Sequence, residues 1–248
     1  MFDADAVADQ LTRELVAVST PERAVQEKAY LKSSLEHLGA TVPQIRSAVK
    51  AVTRAYPRLD HDEVVSLVDA LWVDPVHERR FAAVEILEEH LQLLTPADLA
   101  VVERLVRDSR TWALVDGLAA SVAGGIVEAA GSEQPLVSQT LDCWATDENF
   151  WVRRSALLAL LPGLRRGAGD FARFGRYADG MLEEREFFIR KAIGWVLRET
   201  GKSRPDEVRD WLTPRIGRVA GLTLREAVKY LPTEDRDALM AAYGTRSG

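Results

Sequence analysis

Residues Glu186–Glu199 read EFFIRKAIGWVLRE, and the spacing of their apolar side chains decides how the rest of the chain is read. Wound as an α-helix at about 100° per residue, Ile189, Ala192, Ile193 and Val196 fall into one stripe at i, i+3, i+4 and i+7. That is the face a helix turns into a protein. Trp195 lies off the stripe, on a flank shared with Phe188, Lys191 and Arg198. An indole between two cations suits a groove for a polyanion with stackable or apolar parts. The same pattern also suits an indole packed on a neighbouring helix and covered by basic stems.

Working outward, nearly every segment shows the same helical period, and no alternating β pattern of useful length appears. A first helix is expected over 3–18, and a second opens at Pro21 and runs through AVQEKAYLKSSLEHLG to a C-cap at Gly39. Others follow Pro43, Pro57, the Asp74-Pro75 break and Pro96, and a long one runs from about Thr111 to Ala130. ERRFAAVEIL, TWALVDGLAA, FWVRRSALLAL and FFIRKAIGWVL recur at intervals of roughly 30–40 residues, the spacing of two-helix HEAT or armadillo units. The expectation is an all-α solenoid of HEAT-like repeats in which second helices line a concave surface. Residues 1–248 are read as one such domain.

With 47% apolar and 28% charged residues the composition is that of an ordinary globular chain. One cysteine, Cys143, leaves no internal disulfide and fits a reducing cytoplasm. The acidic start, MFDADAVADQ, lacks the basic and apolar regions of a signal peptide. Uncharged apolar runs such as SALLALLPGL are too short for a membrane span, so no membrane partner is expected. The net charge of −6 disfavours nucleic acid, but its distribution argues the other way. Residues 1–149 carry 13 Lys and Arg against 25 Asp and Glu, whereas residues 150–230 carry 17 against 10. Such asymmetry points the C-terminal half toward a polyanion.

Two further stretches carry chemistry. In TWALVDGLAASVAGGIVEA, helical winding puts Leu114, Val115, Leu118 and Val122 on the core side. Trp112 and Asp116, at i and i+4, then share the opposite flank with Ala119, Ala120 and Ala123. Asp is a poor residue for a helix interior, so a carboxylate one turn from an indole stands out. A surface Asp paired with a nearby Arg gives the same pattern. In DENFWVRRSALLAL, Trp151, Arg154 and Ser155 share a face behind an N-cap at Asp147 or Asn149. There Arg154 could hold a phosphate through its planar fork or form a salt bridge to the preceding repeat. No phosphate-binding glycine loop or nucleophile elbow occurs, and Gly124-Gly125 reads as close helix packing. His37, His61, His77 and His90 lack ligand spacing, so neither a metal nor a cofactor is expected.

FFIRKAIGWVLRE at 187–199, followed by KSRPDEV at 202–208, closely resembles the most recognisable segment of the AlkD-type DNA alkylation repair family. The likeness extends to YLKSSLEHLGA at 30–40, LWVDP at 71–75, TWALVD at 111–116, DENFWVRRSA at 147–156 and LREAVKYL at 224–231. It implies a HEAT-like-repeat DNA glycosylase that removes cationic N3- and N7-alkylated purines from duplex DNA without cofactor or metal, as a monomer. Carried over by motif position, the catalytic aspartate falls on Asp116 and the two active-site indoles on Trp112 and Trp195. The phosphate-contacting arginine falls on Arg154, with Lys191, Arg198, Trp151, Tyr30 and Lys32 as further DNA-binding candidates. Thr111 stands where the family commonly has a second consecutive tryptophan, and LLPGLRRGAG replaces a lysine-bearing helix downstream of Arg154. The competing expectation is a non-catalytic helical scaffold that binds DNA or a protein.

Overall fold

The computed structural model describes residues 2–245. Among them the fold is all-α: helices follow one another along the chain, and the one β feature is an isolated bridge between Glu36 and Val76. The chain divides into two compact units, Met1–Leu118 and Ala119–Gly248.

In the first unit, helix starts are set by local chemistry. Asp3 caps Ala4–Val18 by accepting from the Ala6 N–H, and Thr20 with Pro21 opens Pro21–Leu31. Reciprocal capping boxes start Val42–Ala55 (Thr41 with Gln44) and His61–Trp72 (Asp60 with Glu63). Leu11, Leu15, Ile45, Leu67, Leu71 and Ile86 meet inside, each almost fully buried. Burial of one such side chain stabilises by about 1.5–3 kcal/mol.

The second helix stops earlier than its periodicity predicts. It ends at Leu31, where Lys32 adopts a left-handed conformation at φ 49°. The Ser33 hydroxyl then accepts from the Leu35 N–H, and Glu36 pairs with the backbone at Pro75 and His77. Local serine bonding competes with the helix here, and the bridge to Val76 takes up the chain that would have continued it. Gly39 is no C-cap. It sits at φ 101°, so close to Thr20 that an added Cβ would collide with the Thr20 carbonyl oxygen.

The long helix expected from Thr111 begins at Trp112 and changes winding partway. Trp112–Asp116 is α-helical, Gly117–Ala123 is a π-helix, and Gly124–Ala129 is α-helical again. Leu114, Val115, Leu118 and Val122 are fully buried, as the winding predicts. Ala119 and Ala123, expected beside Asp116, are instead 0% exposed. The i→i+5 bonding of a π-helix spreads roughly 4.4 residues over each turn in place of 3.6, which rotates both alanines toward the interior and leaves Ala120 half-exposed. Glycines bracket the segment. A Cβ on Gly117 would meet Val84, and one on Gly124 would meet Pro162 at 2.7 Å, which is the close packing expected of Gly124. Trp112–Ala129 is also the one described helix long and apolar enough to cross a membrane by length and composition.

The second unit is built on Phe187–Thr200 and Gly221–Ala227, which pack closely against each other, with Phe150–Leu158 and Leu161–Arg165 against the first of them. Ile189, Ala192, Ile193 and Val196 are all buried, so the stripe read from the sequence is the core face. Phe174, Trp144 and Leu212 fill the interior beside them.

Candidate functional site

Helix Trp112–Asp116 carries the first part of the site. Leu114 and Val115 anchor it in the core, which leaves Trp112 and Asp116 half-buried on the remaining flank, one turn apart. The carboxylate is therefore neither sealed in the interior nor fully in solvent. The exposed Tyr30 ring, at the end of Pro21–Leu31, meets Trp112 edge-on at 6.1 Å between centroids and 78° between planes. Lys32, exposed in its left-handed turn, follows two residues later. The first unit thus gathers Tyr30, Trp112 and Asp116 into one locality with Lys32 at its edge.

In the second unit Trp195 is half-buried on Phe187–Thr200, with Lys191 one turn before it and Arg198 one turn after. Both cations reach the same carboxylate, Glu226 on Gly221–Ala227. The Arg198 Nη1 donates to Glu226 at 2.6 Å, and the Lys191 Nζ lies 3.9 Å from it. Lys229 adds a second hydrogen bond at 2.7 Å. Burial raises the Glu226 carboxyl pKa, but the Lys229 hydrogen bond and the charges of Lys191, Lys229 and Arg198 more than offset it, so the group titrates below its usual range. Arg198 also donates to Glu199 at 3.2 Å, and that carboxylate takes bonds from Arg165 and Lys202.

Arg154 stands differently from the expected phosphate hook. It is only 2% exposed, and its Nη1 donates to the Phe188 carbonyl at 2.5 Å while the guanidinium lies over the Phe188 ring. The fork ties Phe150–Leu158 to Phe187–Thr200, a role for which burial is an advantage. Asn149, one of the two expected caps, starts that helix by accepting from the Trp151 N–H. Trp151 is half-buried in an aromatic row, 4.4 Å from Phe150 and 4.8 Å from Phe188 between centroids, and Phe187 extends the row to the surface. Glu226 and Glu199 escaped the sequence reading. The one available signal was the i, i+3 spacing of Glu226 and Lys229 in LREAVKYL.

Among the described residues no group of three or more His, Cys, Asp or Glu side chains could hold a metal ion. The chain is all-helical and gathers its cations around Glu226 on the helix pair that carries Trp195. Residues 11–231 match the family described as DNA alkylation repair enzyme, and the chain belongs to that family. It is similar to a predicted DNA alkylation repair enzyme from Enterococcus faecalis, at 24% identity and a TM-score of 0.77 over 87% of this chain and 97% of that one. It is also similar to AlkD2 from Streptococcus mutans, at 19% identity and a TM-score of 0.58 over 85% of this chain and all of the other. At these identities the structural likeness establishes the fold. No curated protein matches the chain.

Proposed function

We propose that this DNA repair protein is a monofunctional DNA glycosylase that hydrolyses the N-glycosidic bond of cationic N3- or N7-alkylated purines in duplex DNA. The observation that carries the reading is the Asp116 carboxylate, half-buried and one helical turn from the Trp112 indole, in a family whose partner is a polyanion. A carboxylate repels phosphate. It has a use there when positive charge develops beside it.

An N3- or N7-alkylated purine already carries that charge and departs as a neutral base, so the reaction needs no general acid. The barrier lies in the deoxyribose, which becomes oxocarbenium-like as the bond stretches. Asp116 stabilises the cation and orients or deprotonates the attacking water. Trp112 offers a π face to the sugar C–H groups and the developing charge, an interaction worth about 0.5–2 kcal/mol. The motif around Trp195 gives it the role of the second indole. Arg154 acts by fixing the Trp151–Phe188 row, while Lys191 and Arg198, with Tyr30 and Lys32 on the first unit, meet the duplex backbone without reading sequence. No extrusion of the base into a pocket is invoked, in contrast to the usual solution, so bulky adducts are substrates alongside methylated purines. The protein acts as a monomer in a reducing cytoplasm.

The test measures release of N7-methylguanine, N3-methyladenine and one bulky N3-purine adduct from duplex DNA by the native chain and by Asp116→Asn. Loss of direct charge stabilisation should slow release about 100-fold or more, with binding to undamaged duplex unchanged or tighter. A rate within about twofold of native on every active substrate removes Asp116 from the mechanism. No release by the native chain leaves a DNA-binding scaffold.

A further inference from the structure

Helices Phe187–Thr200 and Gly221–Ala227 approach most closely at Gly194. A Cβ there would lie 2.8 Å from the Glu226 Cβ and 3.1 Å from the Thr223 carbonyl oxygen, so any larger residue would push the pair apart. Thr223 closes the same junction by donating its hydroxyl to the Arg190 carbonyl. The contact brings Glu226 against the helix that carries Trp195 and sinks its side chain to 12% exposure. Lys191 and Lys229, which hold its Oε1, keep side-chain exposures of 44% and 50%, and Arg198 bridges from its Oε2 to Glu199. A negative charge beneath three positive ones is the reverse of an ordinary surface salt bridge, in which both partners face water.

We propose that Glu226 is a positioning residue for DNA binding: packed against the helix that carries Trp195, it holds Arg198, Lys191 and Lys229 as a rigid cationic cluster that takes the phosphates of the duplex. The inference rests on the DNA-facing part of the proposed function and is independent of base release. Three long side chains held by one carboxylate lose little freedom when a phosphate arrives, and the cluster retains excess positive charge toward solvent. Arg198, with two bonds already made, is the fixed member of the array and meets the backbone from a set position. Lys191 and Lys229 face outward and add the more exposed contacts.

Electrostatics alone predicts the opposite sign for one substitution, which makes the idea testable. Glu226→Gln removes a negative charge from a DNA-binding face, and if the carboxylate merely repels phosphate, affinity rises. If it organises the cations, affinity falls despite the charge gained. The measurement is fluorescence anisotropy of an undamaged duplex across a salt series, with thermal unfolding of each variant alongside. We expect Glu226→Gln to bind about three- to tenfold more weakly than native at equal folded fraction. Equal or tighter binding overturns the proposal and leaves the proposed function standing. Lys229→Ala, an exposed change that keeps the fold, should lower the slope of log K against log salt by about 0.9, one phosphate's worth. An unchanged slope with this variant overturns the proposal even where the glutamine variant fails to fold. A native chain that binds no duplex at any salt removes this inference together with the DNA reading on which it rests.

Discussion

At the start of helix His77–Glu89 three charged residues follow one another, Glu78, Arg79 and Arg80, and all three are buried. Glu78 accepts from the Leu38 and Gly39 N–H groups at 2.9 and 2.7 Å. Arg79 donates to the Ala70 carbonyl and the Thr12 hydroxyl, both at 2.8 Å. Arg80 donates to the Asp108 carbonyl and carboxylate and lies over the Trp72 ring. In the second unit Lys191, Lys202 and Lys229 stand half in solvent above Glu226 and Glu199. The same side-chain chemistry serves as internal bracing in one region and as a presented surface in the other. What separates the two is depth. A charge tied to backbone carbonyls inside the protein contributes nothing to a partner, so the acidic balance of the first half understates how much of its basic charge is already committed.

The comparison can be broken most directly at Arg80. Arg80→Ala takes the donor from the Asp108 carbonyl and its half-exposed carboxylate and removes the contact with the Trp72 ring, and should destabilise by about 2–4 kcal/mol. Glu226→Gln, at a shallower cluster, should cost less than about 1 kcal/mol. Urea unfolding of both variants measures the contrast, and comparable losses would erase it.

Next in size is a pH effect that belongs to the first unit. His77 is buried and stacked on His37 at 4.6 Å between ring centroids, with planes 10° apart. Burial, and then the neighbouring His37, push its pKa down to about 4, with Glu27 opposing. Above about pH 6.5 the ring is neutral folded or unfolded. Below that the unfolded chain takes up a proton that the folded one refuses until about pH 4. Stability is therefore present above pH 6.5 and lost as pH falls toward 4, by up to about 3 kcal/mol. Urea midpoints at pH 7 and pH 4.5 should show the loss, and His77→Phe, which keeps a ring against His37, should reduce it.

The smallest effect tests packing in the second unit. At Gly124 an added methyl meets the stiff ring of Pro162 at 2.7 Å, so Gly124→Ala should cost about 1–2 kcal/mol by overpacking, against the gain in helix propensity that alanine normally brings. A stabilised variant would show that this contact yields more easily than the buried braces of the first unit.

How far these features were legible follows from the signal each leaves in the chain. Ile189, Ala192, Ile193 and Val196, like Leu114 and Val115, announce themselves through the 3.6-residue period and are buried as expected. Asp116 and Trp112 could be placed because an acid and an indole one turn apart keep their shared flank. Periodicity carried the second helix past Leu31 because Ser33 and Glu36 bond by tertiary and local routes that have no period. The burial of Glu78 to Arg80 leaves no mark in the sequence, because charge alone implies water and their partners lie up to 67 residues away, as for Arg79 and Thr12. Arg154 was recognisable from its motif, but its burial was not, since that depends on Phe188 on another helix. Glu226 acquires its meaning from Gly194, and neither residue hints at the other in the sequence.

The π-helical stretch between Gly117 and Gly124 makes residue count a determinant of geometry. Deleting one amino acid there would let the backbone relax to ordinary α winding, and because six residues at about 100° turn nearly as far as seven at roughly 82°, positions beyond the cut would keep almost the same direction relative to Asp116. A relative one residue shorter within 117–123 would accordingly present the same flank through an ordinary α-helix. A single-residue gap there is therefore the mark of unwound π bonding and no reason to unpair the carboxylates.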